Sequence, residues 1–231
     1  MTRQQRTLSR SDGCIYCGST FDLTEDHLPP RCLMRGIPER DLIRVPACRD
    51  CNCGASKDDE YLCLILTLSQ DVAGHAVASK ARHKMVAALE NPRKVGFRKT
   101  FANSFAFVDR VTRAGIVLGT EVGYRVDYSR VYRVISRLVR GLFFHLDDTR
   151  LPEHVVVRVV HFFPPAIRNE AAMTQVATMA QQILDGGHRH SIGGTAFTYA
   201  RHVFDPDRPS ETGWVFIFYE RMIFMALTKD T

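Results

Sequence analysis

The sequence predicts an α+β protein in which a small metal-stapled unit precedes a larger α+β domain with an antiparallel sheet. All seven cysteines lie within the first 63 residues, whereas helical and alternating strand patterns continue along the rest of the chain. The 231 residues are enough for a small module joined to a second domain. We therefore place the boundary between residues 1–73 and residues 74–231.

Composition narrows the classes of protein to which the chain can belong. It is 45% hydrophobic and 24% charged, as is typical of globular proteins, and no run of 18 apolar residues predicts a membrane span. Basic residues near the start are not followed by an apolar stretch, so we interpret residues 1–13 as a mobile tail rather than a secretory signal. We expect a cytoplasmic protein without a membrane partner.

The positive charge is concentrated in the middle of the chain. Residues 61–150 hold 15 basic and 7 acidic residues, a net charge of +8, whereas the whole chain has +6. A surface that follows a phosphate backbone would produce this bias, and so would a solubilising surface. Nucleic acid is the partner we expect, with the second interpretation left open.

Four of the cysteines form two pairs, Cys14 with Cys17 and Cys48 with Cys51, separated by thirty residues. Two C-x2-C pairs can complete the tetrahedral shell of a structural zinc ion. Such an ion would replace the core that a unit of ~60 residues can hardly build alone. Iron in a rubredoxin-like shell is the alternative metal. The remaining cysteines are Cys32, Cys53 and Cys63, of which Cys63 is expected to be a buried helix residue.

Periodicity and turn residues predict the elements in order. We call each C-x2-C pair a knuckle. The first unit contains a short strand or turn at 24–30, a segment at 42–46 that leads to the second knuckle, and a helix capped by Ser56 and running to about residue 73. The elements expected after it are a helix to about residue 89, a hairpin at 108–126, helices at 128–144 and 170–184, and strands at 155–163, 195–204 and 214–227.

Between and after the knuckles, the chain reads Asp26-His27-x-x-Pro30 and then C-x2-C followed by Asn52 and, five residues later, Lys57. This combination resembles the HNH (His-Me finger) endonucleases, over residues 14–61. The resemblance implies a zinc-stapled, treble-clef-like ββα-metal finger that hydrolyses phosphodiester bonds, with double-stranded DNA as the default substrate. It implies His27 as general base, Mg2+ or another divalent cation on Asp26 and Asn52, and Lys57 as a further catalytic residue.

These residue types suit that chemistry. An imidazole that is neutral near pH 7 can take a proton from water, while a carboxylate and an amide oxygen are ligands that a magnesium-like ion accepts. Two departures from the family pattern leave room for a catalytically inactive finger. The middle asparagine is missing, with Asp41 as the nearest polar residue, and no glycine pair follows Pro30. Further ligand candidates, or helix-capping acids, are Glu25, Asp58, Asp59 and Glu60.

Four arginines, at positions 130, 133, 137 and 140, fall on one stripe of the helix predicted at 128–144. We expect Arg130, Arg133, Arg137 and Arg140 to contact the phosphate backbone of nucleic acid; the alternative is that they pair with nearby acids.

The second domain could also mediate a homodimer or a contact with a protein partner. Three functions stay open at this point: an HNH endonuclease, a non-catalytic zinc-finger protein that binds nucleic acid or regulates, and an electron carrier.

Overall fold

The computed structural model describes residues 13–112, 114–161 and 170–230. Over these ranges the chain is a mixed α+β fold with antiparallel sheets, as predicted. Five α-helices and nine strands lie in the part described, and the strands form two hairpins and one five-stranded sheet. Most of the predicted basic tail and the last two residues of the strand predicted at 155–163 lie outside the described residues.

The N-terminal unit is a hairpin followed directly by a helix. Strand β1 (Leu23–Leu28) pairs antiparallel with β2 (Ile43–Cys48), and α1 (Arg49–Leu68) begins at the next residue. The expectation that Ser56 caps this helix is wrong, because Cys48 is the N-cap and the hydroxyl of Ser56 donates to the carbonyl of Cys53 at 2.7 Å. The second cysteine knuckle is therefore part of the first turn of α1.

The middle of the chain contributes two helices, a hairpin and a long amphipathic helix. These are α2 (Ala76–Leu89), α3 (Val95–Ala102), β3 (Phe105–Val111), β4 (Val117–Tyr124) and α4 (Tyr128–Asp147). The pairing of β3 with β4 and the start of α4 agree with the sequence prediction, whereas α3 was not predicted. From Val131 to Val139 the buried residues of α4 follow helical spacing, so one face of this part enters the core while the other carries arginines. Near its C-terminal end the helix is buried on more than one side, because residues 141–144 are all buried.

The C-terminal part is a five-stranded antiparallel sheet in the order β5-β9-β8-β7-β6, with one helix packed on it. Its elements are β5 (Val156–His161), α5 (Glu170–Gly186), β6 (His188–Ile192), β7 (Phe197–Val203), β8 (Thr212–Phe218) and β9 (Met222–Lys229).

The single strand predicted at 214–227 is wrong, because β8 and β9 are two strands joined by a tight turn. Tyr219 and Glu220 form this turn with φ values of +52° and +65°. Glycine, asparagine or aspartate usually occupy such positions, so the turn has no recognisable sequence signal. The hydroxyl of Tyr219 donates to the carbonyl of Leu33 at 2.7 Å, which ties this end of the sheet to the segment after β1.

The main hydrophobic cluster takes residues from both sides of the boundary predicted at residue 73. Leu28 from the first hairpin, Leu64 from α1, Leu138 from α4 and Trp214 from the sheet all belong to it and are at most 1% exposed. The division into residues 1–73 and 74–231 stays a prediction, but the two parts share one core. None of the helices in the described ranges is long and apolar enough to cross a membrane.

A close contact in this core can be tested by a double-mutant cycle. A Cβ atom at Gly141 of α4 would overlap Leu28 Cδ1, and Leu28 is itself only 1% exposed. We expect Gly141→Ala to destabilise the wild type by about 1–3 kcal/mol through overpacking, and Leu28→Ala to cost about 2–5 kcal/mol.

In the Leu28→Ala background the space is free, so Gly141→Ala should become stabilising by up to ~1 kcal/mol through helix propensity. Urea unfolding of the four proteins measures the coupling. If the two changes were additive, the first hairpin and α4 would not meet at this contact.

Candidate functional site

The two cysteine knuckles come together as predicted. The sulfur atoms of Cys14, Cys17, Cys48 and Cys51 all lie within 4.8 Å of one another, and those of Cys17 and Cys48 are 3.6 Å apart. A tetrahedral zinc ion with Zn–S bonds of about 2.3 Å separates its sulfur ligands by about 3.8 Å. The four thiolates could therefore hold a metal ion such as zinc with little adjustment.

Backbone geometry shapes the first knuckle and joins it to the second. The amide of Gly18 donates to the carbonyl of Cys14 at 2.7 Å, and the positive φ of Gly18 (+78°) closes this turn. The amide of Ile15 donates to the carbonyl of Pro46 in β2 at 3.0 Å. Burial alone would raise the pKa of Cys14, but backbone amides, that of Cys48 foremost, lower it to about 7. A metal-binding thiolate is therefore accessible near neutral pH.

Asp26 lies under the surface and already has a cationic partner. It is 5% exposed, and its Oδ2 accepts hydrogen bonds from the hydroxyl of Tyr16 and from Nη2 of Arg137, both at 2.6 Å. The other terminal nitrogen of Arg137 donates to Oδ1 of Asp59 at 2.9 Å. One guanidinium thus bridges a carboxylate on β1 and a carboxylate on α1.

The charges of this cluster support one another. Burial opposes the charge of Arg137, but Asp26 and Asp59 hold the pKa of its guanidinium above the usual value. Burial raises the pKa of Asp59 to about 6 although Arg137 acts in the opposite direction. Burial, and then the charge of Asp26, raise the pKa of Tyr16 so that it remains a donor. Because Arg137 already pairs with Asp26, a hydrated divalent cation would have to compete with this guanidinium for the carboxylate, so the residues fit the predicted catalytic ion poorly in this arrangement.

Asn52 serves a different contact. Its Nδ2 donates to Oγ1 of Thr24 at 3.0 Å and to the carbonyl of Glu25 at 3.1 Å, which fastens the first turn of α1 to β1. Neither bond reaches the carboxylate of Asp26. Asn52 lies in the first turn of α1, and its side-chain amide nitrogen bonds β1.

His27 faces away from Asp26, because adjacent residues of a strand point to opposite sides. Its Nε2 lies 3.1 Å from Oε1 of Glu39 without hydrogen-bond geometry, and within the described part of the chain this buried nitrogen has no hydrogen-bond partner. Burial, and then the charge of Arg31, lower the pKa of His27, so the ring is neutral at pH 7. The imidazole and the carboxylate of Asp26 are not brought together.

The remaining predicted residues of the finger have structural partners or lie on the surface. Lys57 is exposed, and its carbonyl accepts a hydrogen bond from Arg130 at 2.7 Å. Glu25 pairs with Arg44 at 2.9 Å, and Glu60 pairs with Lys94 at 2.6 Å. Cys63 is a buried helix residue, as expected.

Most arginines of the α4 stripe have acidic partners, although the Arg133 side chain is still 57% exposed. Arg130 and Arg133 donate to the two carboxylate oxygens of Asp58, both at 2.7 Å. Arg140 donates to backbone carbonyls, among them that of Val155 at 2.9 Å. The alternative of pairing with acids is the arrangement observed for three of the four arginines. Asp58 precedes Arg130 by 72 residues, so no local pattern revealed this pairing.

A cavity of about 450 Å³ lies between the first knuckle and α4. Its walls include Tyr16, Tyr132, Arg133, Arg137 and Arg140. Arg133 and Arg137 are already neutralised by carboxylates. This cavity therefore offers less free positive charge than its composition indicates.

An uncompensated basic surface lies elsewhere, in a cleft of about 440 Å³ between the segment after β1 and helix α2. No acidic residue lines it, and none of Arg35, Lys80 and Lys84 forms an ion pair with another residue of the ranges 13–112, 114–161 and 170–230. The Lys80 side chain lies against Gly36, where a Cβ would stand 3.1 Å from Lys80 Cδ. The full lining consists of Arg35, Gly36, Ser79, Lys80, His83 and Lys84. The basic run on α2 was visible in the sequence, but its meeting with Arg35 was not.

The thiolate cluster predicts a simple metal analysis. We expect about one zinc ion per chain and the loss of that ion, with a lower thermal midpoint, in Cys14→Ser. Cys53→Ser is the matched control, because Cys53 is exposed and lies outside the cluster. Elemental analysis and thermal unfolding measure both effects. Iron in place of zinc, with visible absorption, would favour the electron carrier, and equal metal content in both variants would rule out the four-cysteine site.

Known proteins offer no further guide to this site. No protein-family model, curated protein or solved structure matches the chain.

Proposed function

We propose that this chain is a zinc-stapled protein that binds nucleic acid through an HNH-like finger and the basic cleft beside it. The observation that carries the proposal is a set of cations around that cleft that have no ion-pair partner among the described residues. Arg35 lies on the finger side and Lys80 and Lys84 lie on α2. A phosphate backbone supplies the negative charge that this surface lacks.

The finger and the cleft form one surface. The residues that follow β1 carry Arg35 on the side of the cleft and Glu39 on the side of His27. The thiolates, if they hold zinc, fix both ends of this segment, since one knuckle precedes β1 and the other follows β2. A strand of nucleic acid along the cleft would therefore pass beside the segment that contains the Asp26-His27 motif.

The HNH resemblance supports this proposal at the level of architecture. The order of knuckle, hairpin with Asp26-His27, knuckle and helix is the order that the resemblance implies. Binding is favoured over cleavage because Arg137 supplies the positive charge beside Asp26 and because His27 Nε2 is buried. Both observations point to the non-catalytic alternative that the missing middle asparagine left open.

A second candidate is the HNH endonuclease, and one observation favours it. His27 has a neutral imidazole whose Nε2 lacks a hydrogen bond to any described residue, although Oε1 of Glu39 lies 3.1 Å from it. A histidine in that state can accept the proton of an attacking water once the segment covering it opens. Phosphodiester hydrolysis would then begin at His27.

Binding is tested with a fluorescent 20-base-pair duplex by anisotropy at several salt concentrations. We expect Lys80→Glu/Lys84→Glu to weaken binding by at least about tenfold and to reduce the slope of log K against log salt by about 2, because two phosphate contacts are lost. The matched control is Arg93→Glu/Lys99→Glu, which makes the same change of charge outside the cleft lining. Equal losses in both variants would place the contact elsewhere, and no binding by the wild type would refute the proposed function.

Cleavage is tested with supercoiled plasmid, purified wild type and Mg2+ or Mn2+. We expect the plasmid to remain intact, since Asp26 is neutralised by Arg137. Cutting that disappears in His27→Ala, with zinc content and duplex affinity unchanged, would instead establish the endonuclease. Cutting that persists in His27→Ala would indicate a contaminating nuclease and leave binding as the activity.

A further inference from the structure

The hairpin of β3 and β4 exposes an unusual amount of apolar surface. Twelve large hydrophobic side chains are exposed in the described ranges, and eight of them lie between residues 105 and 122. Phe107 is 82% exposed and Val122 64%. The eight are Phe105, Phe107, Val108, Val111, Ile116, Val117, Leu118 and Val122. Apolar patches of this extent usually mark an interaction site.

The hairpin is amphipathic. Phe107 lies opposite Val122, and Val111 lies opposite Val117, so these four side chains share one face. The other face carries the ion pair of Arg110 with Glu121 at 3.0 Å. An antiparallel sheet with this alternation has its apolar face covered in a stable protein.

Within the described ranges, the hairpin is anchored to the rest of the chain at its base. The rings of Phe105 and Tyr124 pack against Phe101 of α3, with centroids 5.0 and 6.0 Å away. Beyond this contact the hairpin is a two-stranded sheet by itself, which is marginally stable in water. Its outer part therefore requires a covering surface from outside the described residues.

We propose that this cover is the same hairpin of a second copy of the chain, packed face to face about a two-fold axis. Val108 lies opposite Glu121 on the face of the ion pair. The exposed parts of the other seven side chains amount to roughly several hundred Å², the order of the roughly 800 Å² that each partner contributes to a standard interface. An identical hairpin also matches the length and width of this face. The contact is isologous, since the same residues meet from both copies.

The net charge of the hairpin favours a second copy of the chain over nucleic acid or an anionic membrane as the partner. Residues 105–124 contain two acidic and two basic residues, a net charge of zero, in a chain of net charge +6. Two copies therefore meet at a neutral surface and avoid the repulsion of their basic regions. Nucleic acid or an anionic membrane would instead require positive charge on the hairpin. The polar pair in the apolar face, Thr120 and Asp109, is already joined by a hydrogen bond of 3.0 Å.

The dimer is measured by sedimentation equilibrium over a range of micromolar concentrations. We expect the wild type to approach twice the chain mass of 26.2 kDa and Phe107→Asp/Val122→Asp to remain a monomer with unchanged zinc content and circular dichroism. The matched control is Phe21→Asp/Val86→Asp, because Phe21 is 83% exposed and Val86 46%, both away from the hairpin. This control should remain a dimer.

Hydrogen exchange on the wild type gives a second readout that needs no variant. Amides of β3 and β4 should gain protection as protein concentration rises. A wild type that is monomeric at every concentration would overturn the proposal. So would a dimer that persists in Phe107→Asp/Val122→Asp, or hairpin amides whose protection does not depend on concentration. None of these outcomes depends on nucleic-acid binding.

Discussion

The fold depends on one buried guanidinium. Arg137 of α4 bonds Asp26 on β1 and Asp59 on α1, so three elements that are far apart in sequence meet at a single charge. Such a network is costly to break, because removal of one partner leaves an uncompensated charge in a poorly hydrated place. The same bridge decides the chemistry of the finger. The carboxylate that holds α4 in position is the one that the motif assigns to a hydrated metal ion, so an ion at Asp26 would compete with Arg137.

The sequence predicted those features that depend on residues close together in the chain. Ligand spacing in the C-x2-C pairs was enough to bring Cys14, Cys17, Cys48 and Cys51 together, because four thiolates with that spacing have few other uses. The period of α4 was equally clear. The turn at Tyr219 and Glu220 was missed because no glycine or asparagine marks it. The start of α1 was missed because the second knuckle lies inside the helix rather than before it.

The candidate site was harder to predict because its charges are paired over long sequence separations. Arg130 and Arg133 formed a basic stripe in the sequence, but both pair with the carboxylate of Asp58 on another helix. Conversely, Lys80 and Lys84 belong to the basic middle of the chain that the sequence showed, but only the fold places Arg35 beside them. A charge pattern therefore shows where cations are but not which of them remain free. For this reason the proposed contact with phosphate lies on α2, whereas the sequence prediction had it on α4.

The hydrogen bond from Tyr219 to Leu33 has a consequence for the structural independence of the N-terminal unit. The turn between β8 and β9, close to the C-terminus, holds the segment that carries Arg35 and Glu39. The conformation of that segment is therefore determined partly by a residue 186 positions away in the sequence. Residues 13–68 transplanted to another protein would bring their cysteines with them but not this support. The N-terminal unit is therefore better regarded as part of a larger folded unit than as an independently folding module.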